Sequence, residues 1–524
     1  MKKLRFIIIM LGLCLIQNVQ AQIDPNSIGY YQDALRFSST DRGGTARLQG
    51  LAGSGVALGG DLSSVIINPA GLGFYNRSVL SITPQISFRD NTASFQGQDN
   101  VTFNDKFSVG QIGISIDLTK SDIEKGDFRG GSLAFSFSKR NDFNEEIELI
   151  GENYQSSIVD YYLESAQGTY TSDLYRENNG EQIPANPIGM AYDAFLFDID
   201  INACNDPADC NIYERFYAFE PMRQRELIKT SGNQNEWTVS YGGNFKDQFY
   251  FGTKLGIASV NYLIERTYNE RALDQGTDAL RSTTINDRLE IDGTGFNLGL
   301  GFIYRPVDLI RFGLNFETPT YYALEEDFNS DLSAQFNNFL FYEDPNNSDN
   351  NFYLNNESSS LPNGFFNYRL RTPMKVNFGA AIFASKNGFI SADVEYLDYS
   401  RSRLSFESLD GDESADNRSI QNIYDRTFNF RVGAEYRVDD FRFRGGYANL
   451  GDPFKENINL VDQSRQRVSG GLGMRLQDYF WDVALIHEWW NEGYTLYNLQ
   501  NGYAPAAEFK KNLTTLAITG GLFF

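Results

Sequence analysis

The side chains that do chemistry in enzymes are sparse in this chain. His487 is the only histidine among 524 residues, and it lies in a stretch that also carries Trp489. A serine–histidine–carboxylate relay would have to use it, and no partner is placed for it by spacing. There is no Gly-x-Ser-x-Gly elbow and no phosphate-cradling loop. Asp410, Asp412, Glu413 and Asp416 lie close together, but no glycine stands at the turn position of a calcium-binding loop. Cys204 and Cys210 have no histidine nearby, which makes a poor zinc site. In an oxidising compartment the same pair allows a small loop disulfide, and the spacing leaves its formation open. Asp393, Glu395, Arg431, Glu435 and Arg437 could mimic an acid–base site; alternation places them on one face of two strands, where cross-strand ion pairing is the simpler reading. No catalytic residue, metal or cofactor is therefore expected, and the formal net charge of -23 argues against a nucleic-acid partner.

The elements that carry these residues repeat with period two. Ile112, Ile114, Ile116 and Leu118 alternate with Gln111, Gly113, Ser115 and Asp117. Ile390, Ala392, Val394 and Tyr396 oppose Ser391, Asp393 and Glu395, and Phe428, Phe430, Val432, Ala434 and Tyr436 oppose Asn429, Arg431, Gly433, Glu435 and Arg437. Period two is the signature of strands. Candidate strands span 79–88, 107–118, 130–139, 236–244, 248–268, 285–305, 308–317, 373–384, 388–398, 426–438, 440–448, 465–476, 478–489 and 513–524. Tight turns at Lys246-Asp247, Pro306-Val307, Ser385-Lys386-Asn387, Asp439 and Gln477 alternate with long polar segments, notably 140–235 and 318–372. Short turns on one side and long loops on the other distinguish an outer-membrane barrel from a soluble sandwich. In such a barrel the apolar face meets lipid and the polar face lines the lumen. Aromatic residues at 15% suit interfacial girdles.

The two ends agree with this. Lys2, Lys3 and Arg5 precede a short apolar run, Phe6 to Ile16, and Val19-Gln20-Ala21 offers a cleavage site, so 1–21 reads as a signal peptide. At the other end Leu516, Ile518, Leu522 and Phe524 alternate up to a terminal aromatic, which resembles the signal read by the barrel-assembly machinery. The expected architecture is an all-β, transmembrane antiparallel barrel of about fourteen strands over 79–524, with 22–78 as a hatch inside the lumen. The expected location is the outer membrane of a Gram-negative bacterium, against phospholipid and lipopolysaccharide.

Residues 22–78 hold the most specific motif. Ala46-Arg47 is followed by Gly53-Ser54-Gly55-Val56-Ala57-Leu58-Gly59-Gly60-Asp61-Leu62-Ser63-Ser64 and then by Asn68-Pro69-Ala70-Gly71-Leu72. This resembles the hatch of the FadL-type outer-membrane transporters, a family that includes TodX-type aromatic hydrocarbon channels. The resemblance implies passive uptake of hydrophobic molecules such as long-chain fatty acids. It also implies a groove among the outer loops, a pocket below it, and a hatch shift that opens a lateral route into the membrane. The family's ligand contacts do not carry over, because 140–235 is far longer than a minimal loop. Apolar stretches inside the polar loops are the candidate groove: Ile188, Met190, Phe195, Leu196, Phe197 and Ile199 in one, and Phe336, Phe339, Leu340 and Phe341 in another. The opposing reading packs them into a cap with its own core. Two further functions stand beside uptake of a hydrophobic cargo. Barrels of this family also act as partners in protein secretion. Haem capture is the other, with only Tyr30-Tyr31 or loop tyrosines to offer the iron.

Overall fold

The computed structural model describes residues 29–524, apart from 120–125, 179, 205, 275–279, 385–386, 408–412, 457 and 459–460. The expected signal peptide, the first residues of the expected hatch, Ser385-Lys386 of one predicted turn and Asp410 and Asp412 lie outside the described residues.

The wall is a closed antiparallel barrel of 14 strands. They are β1 (Val79–Phe95), β2 (Gln98–Asp117), β3 (Phe128–Asp142), β4 (Met222–Phe245), β5 (Phe249–Ala272) and β6 (Leu280–Val307). Strand β7 runs Ile310–Glu317 and resumes as Tyr321–Tyr342, β8 runs Phe352–Arg371 and resumes as Lys375–Phe383, and β9 runs Gly388–Asp398 with an outer piece, Arg403–Phe406. The circuit ends with β10 (Arg426–Val438), β11 (Phe441–Leu450), β12 (Arg465–Arg475), β13 (Tyr479–Thr495) and β14 (Ala506–Phe523). Strand β14 pairs back onto β1 from Val79↔Phe523, so no edge is left open at the seam. Phe524 completes it: its N–H donates to the Ser78 carbonyl, and the Ser78 N–H donates to the Phe524 carbonyl.

The alternation is inside out relative to a soluble protein. Phe428, Phe430, Val432 and Tyr436 are exposed on the outer face while Asn429, Arg431 and Glu435 are buried inside. Ile112, Ile116 and Leu118 likewise stand outward over buried Gln111 and Ser115. An apolar band outside and a polar, hydrogen-bonded lining inside is the arrangement a membrane imposes on a barrel.

Segment 318–372, expected as a loop, is instead mostly strand. It forms a long hairpin that carries β7 and β8 beyond the apolar band. Each strand is interrupted once, at Thr318-Pro319-Thr320 and Thr372-Pro373-Met374, where the prolines remove ladder donors. The two breaks lie side by side, with the Thr320 N–H donating to Thr372 Oγ1 at 2.9 Å and the Thr372 N–H to the Thr320 carbonyl at 3.0 Å. Above them the sequence turns rich in Asn, Ser and acidic residues, so alternation persists in the backbone without an apolar face to announce it. The β1–β2 hairpin extends in the same way, to a two-residue turn at Gln96-Gly97 with φ of 48° and 77°.

Segment 140–235 also departs from a simple loop. It holds an inner strand (Glu145–Asn153) that pairs with β4, two helices, α4 (Ile158–Ala166) and α5 (Pro187–Asp193), and short hairpins before β4 begins at Met222. Before the barrel come α1 (Tyr30–Arg36), α2 (Ala46–Gln49), α3 (Ser64–Ile67) and a 3-10 turn, Pro69–Phe74. This segment lies inside the lumen: Ala46, Val56, Ala57, Val65, Ala70 and Leu72 are all fully buried.

Candidate hatch and binding chamber

The hatch is seated against glycines of the wall. A Cβ added at Gly252 would stand 2.3 Å from the Pro69 carbonyl carbon and 2.4 Å from the Ala70 nitrogen, and one at Gly242 would stand 2.4 Å from the Pro69 oxygen. Only glycine lets the two backbones approach this closely. Asn68 fixes the turn from both sides. Its Oδ1 accepts from the Ala70 N–H at 3.2 Å, while its Nδ2 donates to the Val56 carbonyl at 2.7 Å and to the Phe302 carbonyl at 3.3 Å. Pro69 occupies the first position of the 3-10 turn, where no donor is needed. Gly71 packs against Ser64, whose Oγ would be 2.5 Å from an added Cβ. The motif Asn68-Pro69-Ala70-Gly71 is thus where the hatch backbone seats on β4–β6.

Charge locks the hatch from the opposite side. Arg42 donates to Asp393 at 2.9 Å and to Glu395 at 3.5 Å, and Glu395 also pairs with Arg431 at 3.1 Å. Asp41 meets Arg467 at 2.9 Å, and Arg467 meets Glu488 at 2.5 Å. Arg47 joins Glu435 at 3.5 Å to Asp61 at 3.8 Å, and Glu435 continues to Arg437 at 2.7 Å and to Arg444 at 2.8 Å. The lumenal charges read from alternation are therefore paired, as expected. What spacing missed is that a third of the network, Asp41, Arg42, Arg47 and Asp61, comes from the hatch. The signal for it was present: Asp41, Arg42 and Arg47 are charges in an otherwise small-residue segment.

Above the hatch the lumen holds a chamber of about 640 Å³. Helix α1 forms one wall with Tyr31, Leu35 and Arg36; its Tyr30 ring packs at a tilt on Phe366 and edge-on against Tyr368, and its hydroxyl donates to Glu326. Burial pushes the Asp33 carboxyl of this helix above its usual range, against the pull of Arg36 and the Tyr368 hydroxyl. Apolar surface comes from Tyr262, Phe454, Ile458, Trp490, Phe509 and Leu513. Ten Lys and Arg side chains line the chamber against five Asp and Glu. That excess of positive charge sits inside a chain whose formal charge is -23. Arg431 is buried, and its Nε and Nη1 have no hydrogen-bond partner among the described residues.

One flank of the chamber is an incomplete wall. The β2–β3 ladder runs only from Gln111↔Ser138 to Asp117↔Ser132, although β2 pairs with β1 all the way to Phe95↔Gln98. Asn104 and Lys106 line the chamber on one border of the missing ladder, and Lys139 to Asn144 line it on the other. Lys139 Nζ donates to Ser108 Oγ at 2.8 Å across the two edges, and further out Asn100 and Thr102 of β2 donate to Glu148 and Glu146 of the inner strand that follows β3.

The loop residues expected to form an open groove are brought together, but as an interior. Met190, Leu196 and Phe197 are fully buried in a large apolar core shared by α4, α5 and the outer ends of β5–β8 and β14. Ile188, Ile199, Phe195, Phe339 and Phe341 pack against it, with the Phe195 and Phe341 rings 5.1 Å apart, and Phe336 is buried within it. Leu340 points away and is 38% exposed. An insertion of this length needs its own core, and these apolar side chains supply it. The result is a folded cap over the mouth. Its edge is stapled by a Cys204–Cys210 disulfide between the short strands Asp198–Ile199 and Tyr213–Glu214. Phe197→Ala should therefore destabilise the cap by about 3–5 kcal/mol. The expected readout is protease cleavage within 140–221 while the heat-modifiable barrel band stays intact.

No family model matches the chain, and no curated protein matches it in sequence. Solved structures do. A FadL homologue from Pseudomonas aeruginosa aligns over 91% of this chain and 98% of its own, at 13% identity and a TM-score of 0.52. The ΔS2 mutant of the TodX monoaromatic hydrocarbon channel aligns over 92% of this chain and 99% of its own, at 11% identity and a TM-score of 0.51. With 14 strands closed around a lumenal N-terminal segment, this chain has the fold of the FadL and TodX channels.

Proposed function

We propose that the protein is an outer-membrane channel of a Gram-negative bacterium for passive uptake of hydrophobic molecules with an acidic head group, long-chain fatty acids being the fitting class, with lateral release into the membrane. The observation that carries this reading is the chamber. It combines apolar side chains with an excess of cations, and it borders the stretch where β2 and β3 lack a ladder. A carboxylate fits Arg465, which lines the chamber with its side chain 42% exposed and its guanidinium 4.6 Å from the centroid of the Trp490 ring. An alkyl tail fits the tyrosine, tryptophan and leucine surface beside it. Cargo arrives from the outer side once the cap parts. It leaves between β2 and β3, where lipid solvates the tail and the hatch need not be crossed. The name of one structural neighbour agrees with a hydrophobic cargo, since TodX is a monoaromatic hydrocarbon channel.

The test is oleate binding and flux by the full chain in liposomes. Arg465→Ala should weaken oleate binding about ten- to a hundredfold, because a hydrogen bond to a charged group contributes about 1.5–3 kcal/mol. Toluene binding should change little. Native mass spectrometry of mild-detergent extracts should show a retained fatty acid. Free permeation of small sugars with no retained lipid-like molecule would make the protein a general porin and end this reading.

A further inference from the structure

A second concavity lies on the outside of the barrel. It occupies about 460 Å³ on the outer face of β4–β8, beside the tight turns that follow β4 and β6. Phe245, Phe251, Phe302, Tyr304, Phe312 and Phe378 line it, all partly exposed on the lipid side. Gly313 lies in its floor and faces Gly379 across the ladder; the Cβ positions of both turn into the lumen, and the neighbouring Phe312, Leu314 and Phe378 stand outward. On the inner side the same wall is glycine again, and the hatch backbone rests directly on it: a Cβ at Gly313 would stand 2.3 Å from the Val56 carbonyl oxygen. The wall here is one backbone thick, with the hatch on one side and the groove on the other.

The rim of the groove carries both signs of charge. Lys246 Nζ lies 5.4 Å from the centroid of the Phe245 ring and 3.2 Å from Asp127. The neighbouring pairs, Arg129 with Asp247 and Arg305 with Asp308, belong to the lumen side of the turns, where Asp247 accepts from Asn244 and Arg305 bonds the buried Tyr250 hydroxyl. The Asp127 carboxylate is more than half exposed and Lys246 is about half exposed, so both are open to a further partner. An exposed cation beside an exposed carboxylate matches neither a lone anion nor a lone cation. It matches a head group that carries a phosphate and an ammonium together. Placement selects the source: the rim sits on the short turns, the side opposite the cap, so the facing leaflet is the periplasmic one.

We propose that this groove seats an acyl chain of one amine-bearing, zwitterionic phospholipid of the periplasm-facing leaflet, with its phosphate on Lys246 and its ammonium on Asp127. The site is independent of what the lumenal chamber carries. Its occupant lies among several aromatic rings, unlike a lipid against an unindented belt, and so exchanges more slowly.

The test uses the full chain in nanodiscs containing phosphatidylethanolamine, phosphatidylglycerol and phosphatidylcholine in equal parts. A phospholipid with a photoreactive acyl chain should label wild-type protein mainly within 245–251 and 302–314. Native mass spectrometry should show one phosphatidylethanolamine surviving activation that strips the other lipids, retained about tenfold over either competitor. Phe302→Ala with Phe312→Ala should remove that retention. Leu485→Ala, an exposed lipid-side position on β13, should keep it. Labelling spread evenly around the barrel, or equal retention of the three lipids, overturns the proposal. The labelling on wild-type protein decides the question even where the double variant fails to insert.

Discussion

Gly252→Val is expected to unseat the hatch while leaving the barrel closed. The added Cβ has no room to settle, because its nearest neighbours are backbone atoms of Pro69 and Ala70 at 2.3 and 2.4 Å rather than the tip of a flexible side chain. Overpacking of this kind costs about 1–3 kcal/mol, and here the hatch is the partner able to yield, since β5 is held by ladders on both sides. The population of undocked hatch should rise about ten- to a hundredfold. Single-channel recording in planar bilayers checks it: wild type should stay closed to small ions, and the variant should show large, flickering conductance. Unchanged conductance, with normal heat-modifiable protein, would mean that the hatch does not seal the lumen at this contact.

Arg42→Ala is expected to have the larger effect on the sealed state. Asp393 is 2% exposed, and its Oδ2 accepts from Arg42, from the Gly55 N–H at 2.8 Å and from the Val56 N–H at 3.2 Å. Removing the guanidinium leaves a buried carboxylate without its cation, which costs about 3–5 kcal/mol. It also withdraws one of two cations from Glu395 and the side-chain donor that meets Asn377. Docked hatch should therefore give way to a form in which periplasmic-side protease reaches 41–60. Pairing the change with Asp393→Asn should restore much of the protection, because the neutral amide oxygen still accepts from Gly55 and Val56 and no uncompensated charge is left. If the double variant is as sensitive as Arg42→Ala alone, the guanidinium acts through Gly53, whose carbonyl it also meets at 2.7 Å, rather than through the ion pair.

The barrel and its faces were legible because lipid and lumen impose opposite chemistry on successive residues. Phe428 through Tyr436 could be assigned outward without any knowledge of their partners, and the structure exposes them. The same rule failed above the apolar band. There both faces of a strand meet water or polar neighbours, so the outer parts of β7 and β8 carried no period-two apolar signal and read as loop. The apolar stretches at 188–199 and 336–341 were visible as apolar, yet composition cannot say whether such residues face solvent or one another. Their burial was decided by contact between segments far apart in the chain, as Phe195 with Phe341 shows.

By itself the sequence determined a 14-stranded barrel, its lipid-facing residues and its hatch motif, since each depends on local periodicity or on residues that touch within one turn. Only the tertiary structure decided how the lumen is filled. Arg42 meets Asp393 across 351 positions, and Ala46 meets Thr519 across 473. Closing the sheet into a ring is what brings these groups together, and no spacing along the chain encodes which strand will stand opposite a hatch residue. The chamber, its excess of cations and the missing β2–β3 ladder arise from that closure, where the polar face of every strand is turned onto one shared interior.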